Sequence, residues 1–208
     1  MIFSYLLPTD KFERDRLTEF EGLVHHVTVR VSPESDIEEL SEFIEQIEQH
    51  NLRFYVRPLL GRRAAHFDAN PPWTEKEKNR AAGFVPRIWR DEVFGNAYDW
   101  FCEVAEACQS DQWDGWYLPG AHESSEFGHL PEVFLEKRNW ERKCARGFSQ
   151  LITAMRWAAN NVPVFCSMGQ WQPFSERIIQ LCDGVGLNTI HDAMNLDVDR
   201  MKQGPNRY

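Results

Sequence analysis

The sequence lacks the features that would assign it to several common classes of protein. No apolar run approaches the roughly 18 residues of a membrane-spanning helix, and the first residues resemble no secretion signal. The five cysteines include no C-x-x-C pair, so neither a zinc ribbon nor a disulfide framework is indicated. The glycine-rich phosphate loops G-x-G-x-x-G and G-x-x-x-x-G-K-[ST] are also absent. We therefore expect a cytoplasmic globular protein with free thiols.

The charge of the chain is negative overall but unevenly distributed. The 208 residues carry a net charge of −9, which argues against a general nucleic-acid coat. Between Arg53 and Arg90, however, nine basic residues face only three acidic ones. This basic segment indicates either a site for an anionic ligand or a solvated surface loop.

Hydrophobic periodicity predicts a regular alternation of strands and helices in one domain, residues 1–208. A long connection is expected at about 61–92 and a frayed tail at about 200–208. Strands are predicted at 2–7, 23–31, 52–60, before Pro119, at 162–168 and at 183–190, and helices at 10–20, from Pro33 to about 50, and at 93–108, 134–160 and 173–182. This βα alternation predicts a parallel sheet, either doubly wound or closed as a barrel. A full eight-unit barrel needs about 250 residues. The pattern alone leaves both α/β folds open, and a (β/α) TIM-like barrel of this length would be lean or incomplete, with six to seven βα units.

Three local features refine this pattern. Ser32 followed by Pro33 predicts a helix N-cap with proline in the first helical position. Pro58 predicts that regular strand pairing ends there. His25 and His26 are adjacent in a strand and point to opposite faces, so one of them is expected to be a buried core histidine.

Polar side chains follow each predicted strand. In parallel α/β folds the carboxyl ends of the strands form the ligand site, so these side chains are the candidate functional residues. They are Arg30 and Ser32 after the second strand; Arg57, Arg62, Arg63, His66 and Asp68 at the third; His122, Glu123 and Glu126 after the fourth; Trp171 after the fifth; and Asn188, His191 and Asp192 after the sixth.

Glu123 is the candidate general acid. A carboxylic acid beside aromatic rings is partly desolvated, which raises its pKa toward neutrality and allows it to donate a proton to a leaving oxygen. Such chemistry needs a second carboxylate, for which Asp68, Glu126 and Asp192 are the candidates. The alternative for Glu123 is an exposed loop glutamate.

Aromatic residues near the strand ends are candidate stacking surfaces for a sugar or a base. These are Trp116, Tyr117 and Trp171, but Trp116 and Tyr117 must point to opposite faces, so at least one of them is expected to pack in the core. Cys166 lies within a strand and is expected to be buried and inert. No cofactor is predicted. A divalent metal is the alternative, because His66, Asp68 and His122 are suitable ligand types, although no dedicated ligand spacing occurs.

Four segments resemble a family of glycoside-hydrolase-like TIM barrels of unknown function. They are WDGWYLPGAHES (113–124), NVPVFCSMGQW (161–171), CDGVGLNTIHD (182–192) and, less closely, NLRFYVRPLLG (51–61). The resemblance implies that the fold class is α/β, a lean or incomplete (β/α) TIM-like barrel, and that Glu123 is the general acid at the end of strand four. It also implies that Asn188 and Asp192 occupy ligand positions at the sixth strand.

Three functions are consistent with the sequence. The first is a carbohydrate-active, glycoside-hydrolase-like enzyme that uses Glu123 as general acid on a small carbohydrate. The second is an enzyme acting on a phosphate-bearing substrate, a nucleotide or nucleic acid, bound by the arginine-rich loop. The third is a non-catalytic ligand-binding barrel, which the low unit count favours. An incomplete barrel exposes strand edges, so we also expect a homodimer that covers them.

Overall fold

The computed structural model describes residues 4–6, 17–20, 22–59, 91–118, 137–160, 162–168 and 179–187. The strands are β1 (Ser4–Leu6), β2 (His26–Val31), β3 (Arg53–Pro58), β4 (Trp113–Leu118), β5 (Val164–Met168) and β6 (Gly184–Leu187). The helices are α1 (Leu17–Phe20), α2 (Ile37–Gln49), α3 (Asp91–Ala107) and α4 (Lys137–Ala158), and residues 179–181 are also helical.

The six strands form one parallel sheet whose spatial order is the order of the chain. Each strand pairs in parallel with the next, from β1 to β6. A doubly wound sheet reverses its strand order at a switch point, and no reversal occurs among these six strands. Right-handed crossovers without a reversal place the connecting helices on one face of the sheet. The fold is therefore a (β/α) barrel-like arrangement, consistent with an incomplete α/β barrel, as the sequence predicts.

One hydrophobic core lies between the helices and one face of the sheet. Helix α2 buries a stripe of residues at helical spacing, and α3 and α4 bury similar stripes. On the sheet, every second residue of β2 and β3 is buried in the same layer. The buried side chains include Val27, Val29, Val31, Phe54, Val56, Leu40, Phe43, Ile47, Val93, Phe101, Val104, Leu151 and Met155. We call the opposite side of the sheet the inner face.

Helix α2 begins later than the sequence predicts. Its N-cap is Asp36, whose carboxylate accepts hydrogen bonds from the backbone N–H groups of Glu38 and Glu39 at 2.8 and 3.2 Å. The prediction of an N-cap at Ser32 is wrong, because Ser32 forms a turn with Ser35 instead. The Ser35 backbone N–H donates to the Ser32 carbonyl, and the Ser32 backbone N–H donates to the Ser35 hydroxyl, each at 2.9 Å.

The other helix and strand boundaries agree with the sequence to within a few residues where the structure describes them. Strand β3 ends at Pro58, as predicted. Helix α2 ends at Gln49 with His50 as its C-cap, and the next residue, Asn51, adopts a φ of 56°, a left-handed conformation that asparagine tolerates. Helix α3 begins at Asp91, inside the connection predicted at about 61–92. The rest of that connection and the predicted tail lie outside the described residues.

Candidate functional site

The inner face of the sheet carries the polar and aromatic side chains of the strands. Since side chains alternate along a strand, the burial of Val27, Val29 and Val31 against the helices places His26, Thr28 and Arg30 on the inner face. The same alternation in β3 places Arg53, Tyr55 and Arg57 there. Apart from the exposed Arg53, the inner-face residues of β2, β3 and β4 and Phe165 of β5 are buried or half-buried, whereas the helix-facing positions are almost fully buried.

Aromatic rings from three strands form the floor of the inner face. His26 stacks on Tyr55 with ring centroids 5.3 Å apart and an interplanar angle of 21°. Tyr55 in turn meets Phe165 of β5 edge to face, with centroids 5.6 Å apart. Burial raises the pKa of Tyr55 above its ordinary value.

Two glycines make room for the Phe165 ring. Gly115 has a φ of 153°, and a Cβ there would lie 2.6 Å from the Pro163 carbonyl oxygen and 2.9 Å from the Phe165 ring. A Cβ on Gly184 would lie 2.7 Å from the same ring. The ring therefore covers β4 and β6 at positions where only glycine fits, and this brings Phe165 against Tyr55 across the intervening strand.

An ionic network occupies the amino-terminal end of the inner face. Arg53 Nε donates to both carboxylate oxygens of Asp114 at 2.8 Å, and a second guanidinium nitrogen also contacts Asp114. His26 Nε2 lies 2.5 Å from Asp114 Oδ2 and, because a carboxylate only accepts, Nε2 is the donor. The bond from Arg53, aided by His26, holds the pKa of Asp114 below its usual value. In TIM barrels this end of the strands contributes to stability rather than to catalysis.

The carboxyl-terminal end of the inner face carries Arg30, Arg57 and Tyr117. Arg30 and Arg57 are register partners on neighbouring strands, and both are half-buried. Val56 pairs with Trp116, so the next residues, Arg57 and Tyr117, lie side by side. Of the predicted substrate-binding residues, Arg57 and Tyr117 therefore lie together on the face where a barrel binds its ligand.

Trp116 is a core residue, and the prediction that it forms a stacking surface is corrected. Its side chain is 0% exposed and packs edge to face against Phe101 of α3, with centroids 5.5 Å apart. It also meets Trp113 at 5.0 Å. The alternation of the strand forces this outcome, since Tyr117 takes the inner face and leaves Trp116 to face the helices.

Most of the predicted site residues lie outside the described part of the chain. They follow the carboxyl ends of β3, β4, β5 and β6, and parallel pairing brings these ends to one edge of the sheet. The roles predicted for them stay predictions. They are Arg62, Arg63, His66, Asp68, His122, Glu123, Glu126, Trp171, Asn188, His191 and Asp192.

The structure adds inner-face residues that the strand-end argument did not select. Tyr55, Phe165 and Asp114 lie within strands, and the strand-end argument considers only residues that follow a strand. The alternation of apolar Phe54 and Val56 with Tyr55 and Arg57 in the sequence was the signal that could have found Tyr55. The expectation of one buried core histidine is confirmed, since His26 is 5% exposed and His25 is exposed.

Cys166 is buried on the helix side of β5, as the sequence predicts, but it has a thiol partner. A hydrogen bond with Cys182, together with burial, raises the pKa of Cys166. The same hydrogen bond lowers the pKa of Cys182, in opposition to the burial of that thiol. Arg156 of α4 lies near Cys182 and binds the adjacent residues, donating to the Leu181 carbonyl at 2.9 Å and to Asp183 at 2.8 Å. These bonds hold the residues just before β6 against β5 and α4.

Among the residues that the structure describes, no group of three or more His, Cys, Asp or Glu side chains is suited to a metal ion. No helix in the described ranges is long and apolar enough to cross a membrane.

Solved structures similar to this chain include a β-galactosidase and two GH5_18 proteins. The β-galactosidase of the psychrophilic Marinomonas ef1 is 10% identical with a TM-score of 0.53, covering 89% of this chain and 40% of the enzyme. GH5_18 of Streptomyces cattleya, in complex with Manβ1-4GlcNAc, is 13% identical with a TM-score of 0.51, covering 81% and 45%. GH5_18 of Bifidobacterium longum subsp. longum, in complex with the same disaccharide, is 11% identical with a TM-score of 0.51, covering 86% and 46%.

These similarities establish the fold and support the glycoside-hydrolase-like resemblance seen in the sequence. The chain spans less than half the length of each of these three solved proteins. No protein-family model and no curated protein matches the sequence. Two of these proteins were solved with a bound disaccharide and the third is a β-galactosidase, so they do not support the alternative of a nucleic-acid substrate. The homodimer stays a prediction.

Proposed function

We propose that the chain acts on carbohydrate as a glycoside-hydrolase-like enzyme, with its substrate bound on the inner face at the carboxyl ends of the strands. The observation that carries this proposal is the row of half-buried rings, Tyr55, Phe165 and Tyr117, on the inner face of a singly wound parallel sheet. Aromatic rings present flat apolar surfaces to the C–H faces of sugars, while the Tyr hydroxyls supply hydrogen bonds. The fold shared with glycoside-cleaving enzymes supports the same conclusion.

Glu123 is the proposed general acid. Strand β4 ends at Leu118, at the edge where all six strands finish, and Glu123 follows five residues later along the chain. A glutamic acid in this position would protonate the glycosidic oxygen as the bond to the anomeric carbon breaks. Asp68 or Asp192 is the proposed second carboxylate, acting as nucleophile or as the base that activates water.

The general-acid role is tested with aryl glycosides that differ in leaving group. Glu123→Gln is expected to lower kcat/KM by roughly 100- to 10,000-fold for poor leaving groups that need a proton. The same variant should retain most of its activity on dinitrophenyl glycosides, because that leaving group departs without protonation. Glu45→Gln, on the exposed surface of α2, is the matched control. Equal loss on both kinds of substrate, or no loss at all, contradicts the assignment of Glu123.

The second carboxylate is tested separately. Asp68→Asn and Asp192→Asn are compared on the dinitrophenyl substrates, where the general acid is not needed. The variant that lacks the nucleophile or base should lose activity on these substrates as well, and added azide should restore turnover by reaching the anomeric carbon in its place. Full activity in both variants would contradict both assignments.

A further inference from the structure

Two free thiols meet where β5 passes the residues that lead into β6. Cys166 lies in β5 and is 2% exposed, whereas Cys182 lies in the bend just before β6 and is half-buried. Their side chains are hydrogen-bonded to each other. Parallel pairing of the two strands brings them together, since Phe165 and Gly184, close to the two cysteines in the chain, are register partners. The pair therefore forms through the fold, and no C-x-x-C spacing in the sequence reveals it.

The hydrogen bond makes the two sulfur atoms chemically different. It raises the pKa of Cys166, as burial also does, and it lowers the pKa of Cys182. Cys166 is therefore the S–H donor and the Cys182 sulfur is the acceptor. The charge of Arg156 also lowers the pKa of Cys182, while burial and Asp183 oppose the change. Because the thiolate is the nucleophilic form of cysteine, Cys182 is the reactive member of the pair.

Arg156 of α4 holds the bend that carries Cys182. Its guanidinium group donates to the Leu181 carbonyl at 2.9 Å and to the Asp183 carboxylate at 2.8 Å, so it binds the residues on both sides of Cys182. The Asp183 carboxylate also accepts from the Val164 backbone N–H at 2.8 Å, and the Asp183 N–H donates to the Val164 carbonyl at 2.9 Å. These four bonds fix the bend against β5 and place a positive charge near the Cys182 sulfur.

We propose that Cys182 and Cys166 are a peroxide-reactive thiol pair that closes reversibly to a disulfide. The Cys182 thiolate attacks one oxygen of hydrogen peroxide, so that an S–O bond forms, the O–O bond breaks, and the departing hydroxide takes a proton from solvent. The Cys166 sulfur then attacks the Cys182 sulfur. The S–S bond forms as the S–O bond breaks, and the second hydroxide leaves with the Cys166 proton as water. The two sulfurs lose two electrons and the peroxide gains them.

The two cysteines have the properties that this reaction needs. A redox-sensitive cysteine combines thiolate character, access for the oxidant and a neighbouring thiol that resolves the sulfenic acid. Half-buried Cys182 is open to a small peroxide, whereas Cys166 is shielded and acts only after Cys182 is oxidised. A disulfide requires the sulfurs to approach to about 2.05 Å. Cys182 lies between helical residues 179–181 and β6, so neither a helix nor a strand ladder opposes that approach.

Peptide mapping of the unchanged protein tests the proposal without any variant. Trypsin cuts after Arg177, which places Cys166 and Cys182 on separate peptides. After treatment with hydrogen peroxide, these two peptides are expected to appear as one linked species, lighter by two hydrogens than their sum and separated again by dithiothreitol. Non-reducing electrophoresis should show a single chain. Unlinked peptides, or a link from Cys182 to another cysteine or to a second chain, overturn the proposal.

Reactivity in the unchanged protein assigns the nucleophile. Iodoacetamide is expected to label Cys182 at least about ten-fold faster than Cys102, a partly exposed cysteine of α3, because alkylation follows the thiolate form. Equal labelling of Cys182 and Cys102 would contradict the role of Cys182. Since the readouts are covalent and need no substrate, they are independent of the proposed carbohydrate activity.

Variants separate the two roles. Cys166→Ala should stop the reaction at the Cys182 sulfenic acid, which dimedone traps, although more slowly because the hydrogen bond is lost. Cys182→Ala should leave Cys166 unmodified under the same treatment. Cys102→Ala is the matched control and should form the Cys166–Cys182 link at the unchanged rate. Dimedone on Cys166 in the Cys182→Ala variant would show that Cys166 reacts by itself, and the assignment of a nucleophile and a resolving thiol would fail.

Discussion

The two faces of the sheet are built from the same strands but meet different requirements. On the helix side, β2 contributes three valines that are 0% exposed. On the inner face the same strand contributes a histidine, a threonine and an arginine, and their polar groups need partners such as Asp114. The comparison shows that stability is concentrated on the helix side, where burial of apolar area is continuous. The inner face is thereby free to carry polar residues suited to binding.

The sharpest test of this comparison uses adjacent residues of β4. Trp116→Ala removes a fully buried ring from the helix side and is expected to cost about 3–5 kcal/mol of unfolding free energy. Tyr117→Ala removes a half-buried ring from the inner face and should cost about 1 kcal/mol while weakening saccharide binding. Urea unfolding measures the first effect and calorimetry the second. Similar destabilisation by the two variants would show that the two faces contribute equally to stability.

Gly115 provides the second test, because it allows Phe165 to cross β4. Gly115→Ala is expected to cost roughly 3 kcal/mol, since alanine is strained at the observed φ and its Cβ would contact the Pro163 carbonyl oxygen. Gly95→Ala is the control, because Gly95 lies in helix α3 with nothing near its Cβ, and there alanine should stabilise by about 0.5–1 kcal/mol. A neutral Gly115→Ala variant would contradict the close packing on the inner face.

Asp114 tests whether the inner face contributes to stability through charge. Its pKa is lowered from 3.8, so its stabilising effect is complete above the unfolded pKa and is lost as the pH falls through the lower, folded value. Asp114→Asn should therefore cost about 2 kcal/mol at pH 6, and the difference from the unchanged protein should shrink as the pH falls below about 4. Urea unfolding at pH 6 and pH 3 measures both values. A difference independent of pH would contradict the ionic role.

The smallest expected effect concerns the start of helix α2, which covers the helix side. Asp36→Ala should cost about 1 kcal/mol, because two backbone N–H groups lose their acceptor. Asp36→Ser keeps an acceptor at the same position and should recover most of that loss. Thermal unfolding of the two variants makes the comparison. Equal stability of the two variants would indicate that a residue other than Asp36 caps the helix.

The order of the elements could be read from the sequence because each strand is rich in apolar residues and each long helix has a regular apolar stripe. Periodicity alone could not choose between a doubly wound sheet and a barrel, since strand order in space depends on pairing between segments far apart in the chain. The start of α2 was misplaced for a local reason. Ser32, Ser35 and Asp36 are all good N-caps, and only the hydrogen bonds show which of them caps the helix.

The candidate site was predictable in part. Arg57 was found because it lies near the carboxyl end of the predicted third strand, and Tyr117 because it is an aromatic residue near the end of the fourth. Strand alternation correctly required that one of Trp116 and Tyr117 face the core. It could not say which one, since both are aromatic. Tyr55 and Phe165 were missed because their meeting depends on a glycine in the strand between them, and no single segment of sequence reports that relation.

The Phe165 ring also limits which substitutions this sheet can accept during evolution. At Gly184 the atoms that would meet a new Cβ belong to the Phe165 ring alone, whereas at Gly115 the Pro163 carbonyl stands in the way as well. A smaller residue at position 165 would thus allow a side chain at position 184 but not at position 115. Related chains should accordingly show correlated exchange at 165 and 184, with 115 held constant, and an aligned set of them would reveal that asymmetry without a single mutant being made.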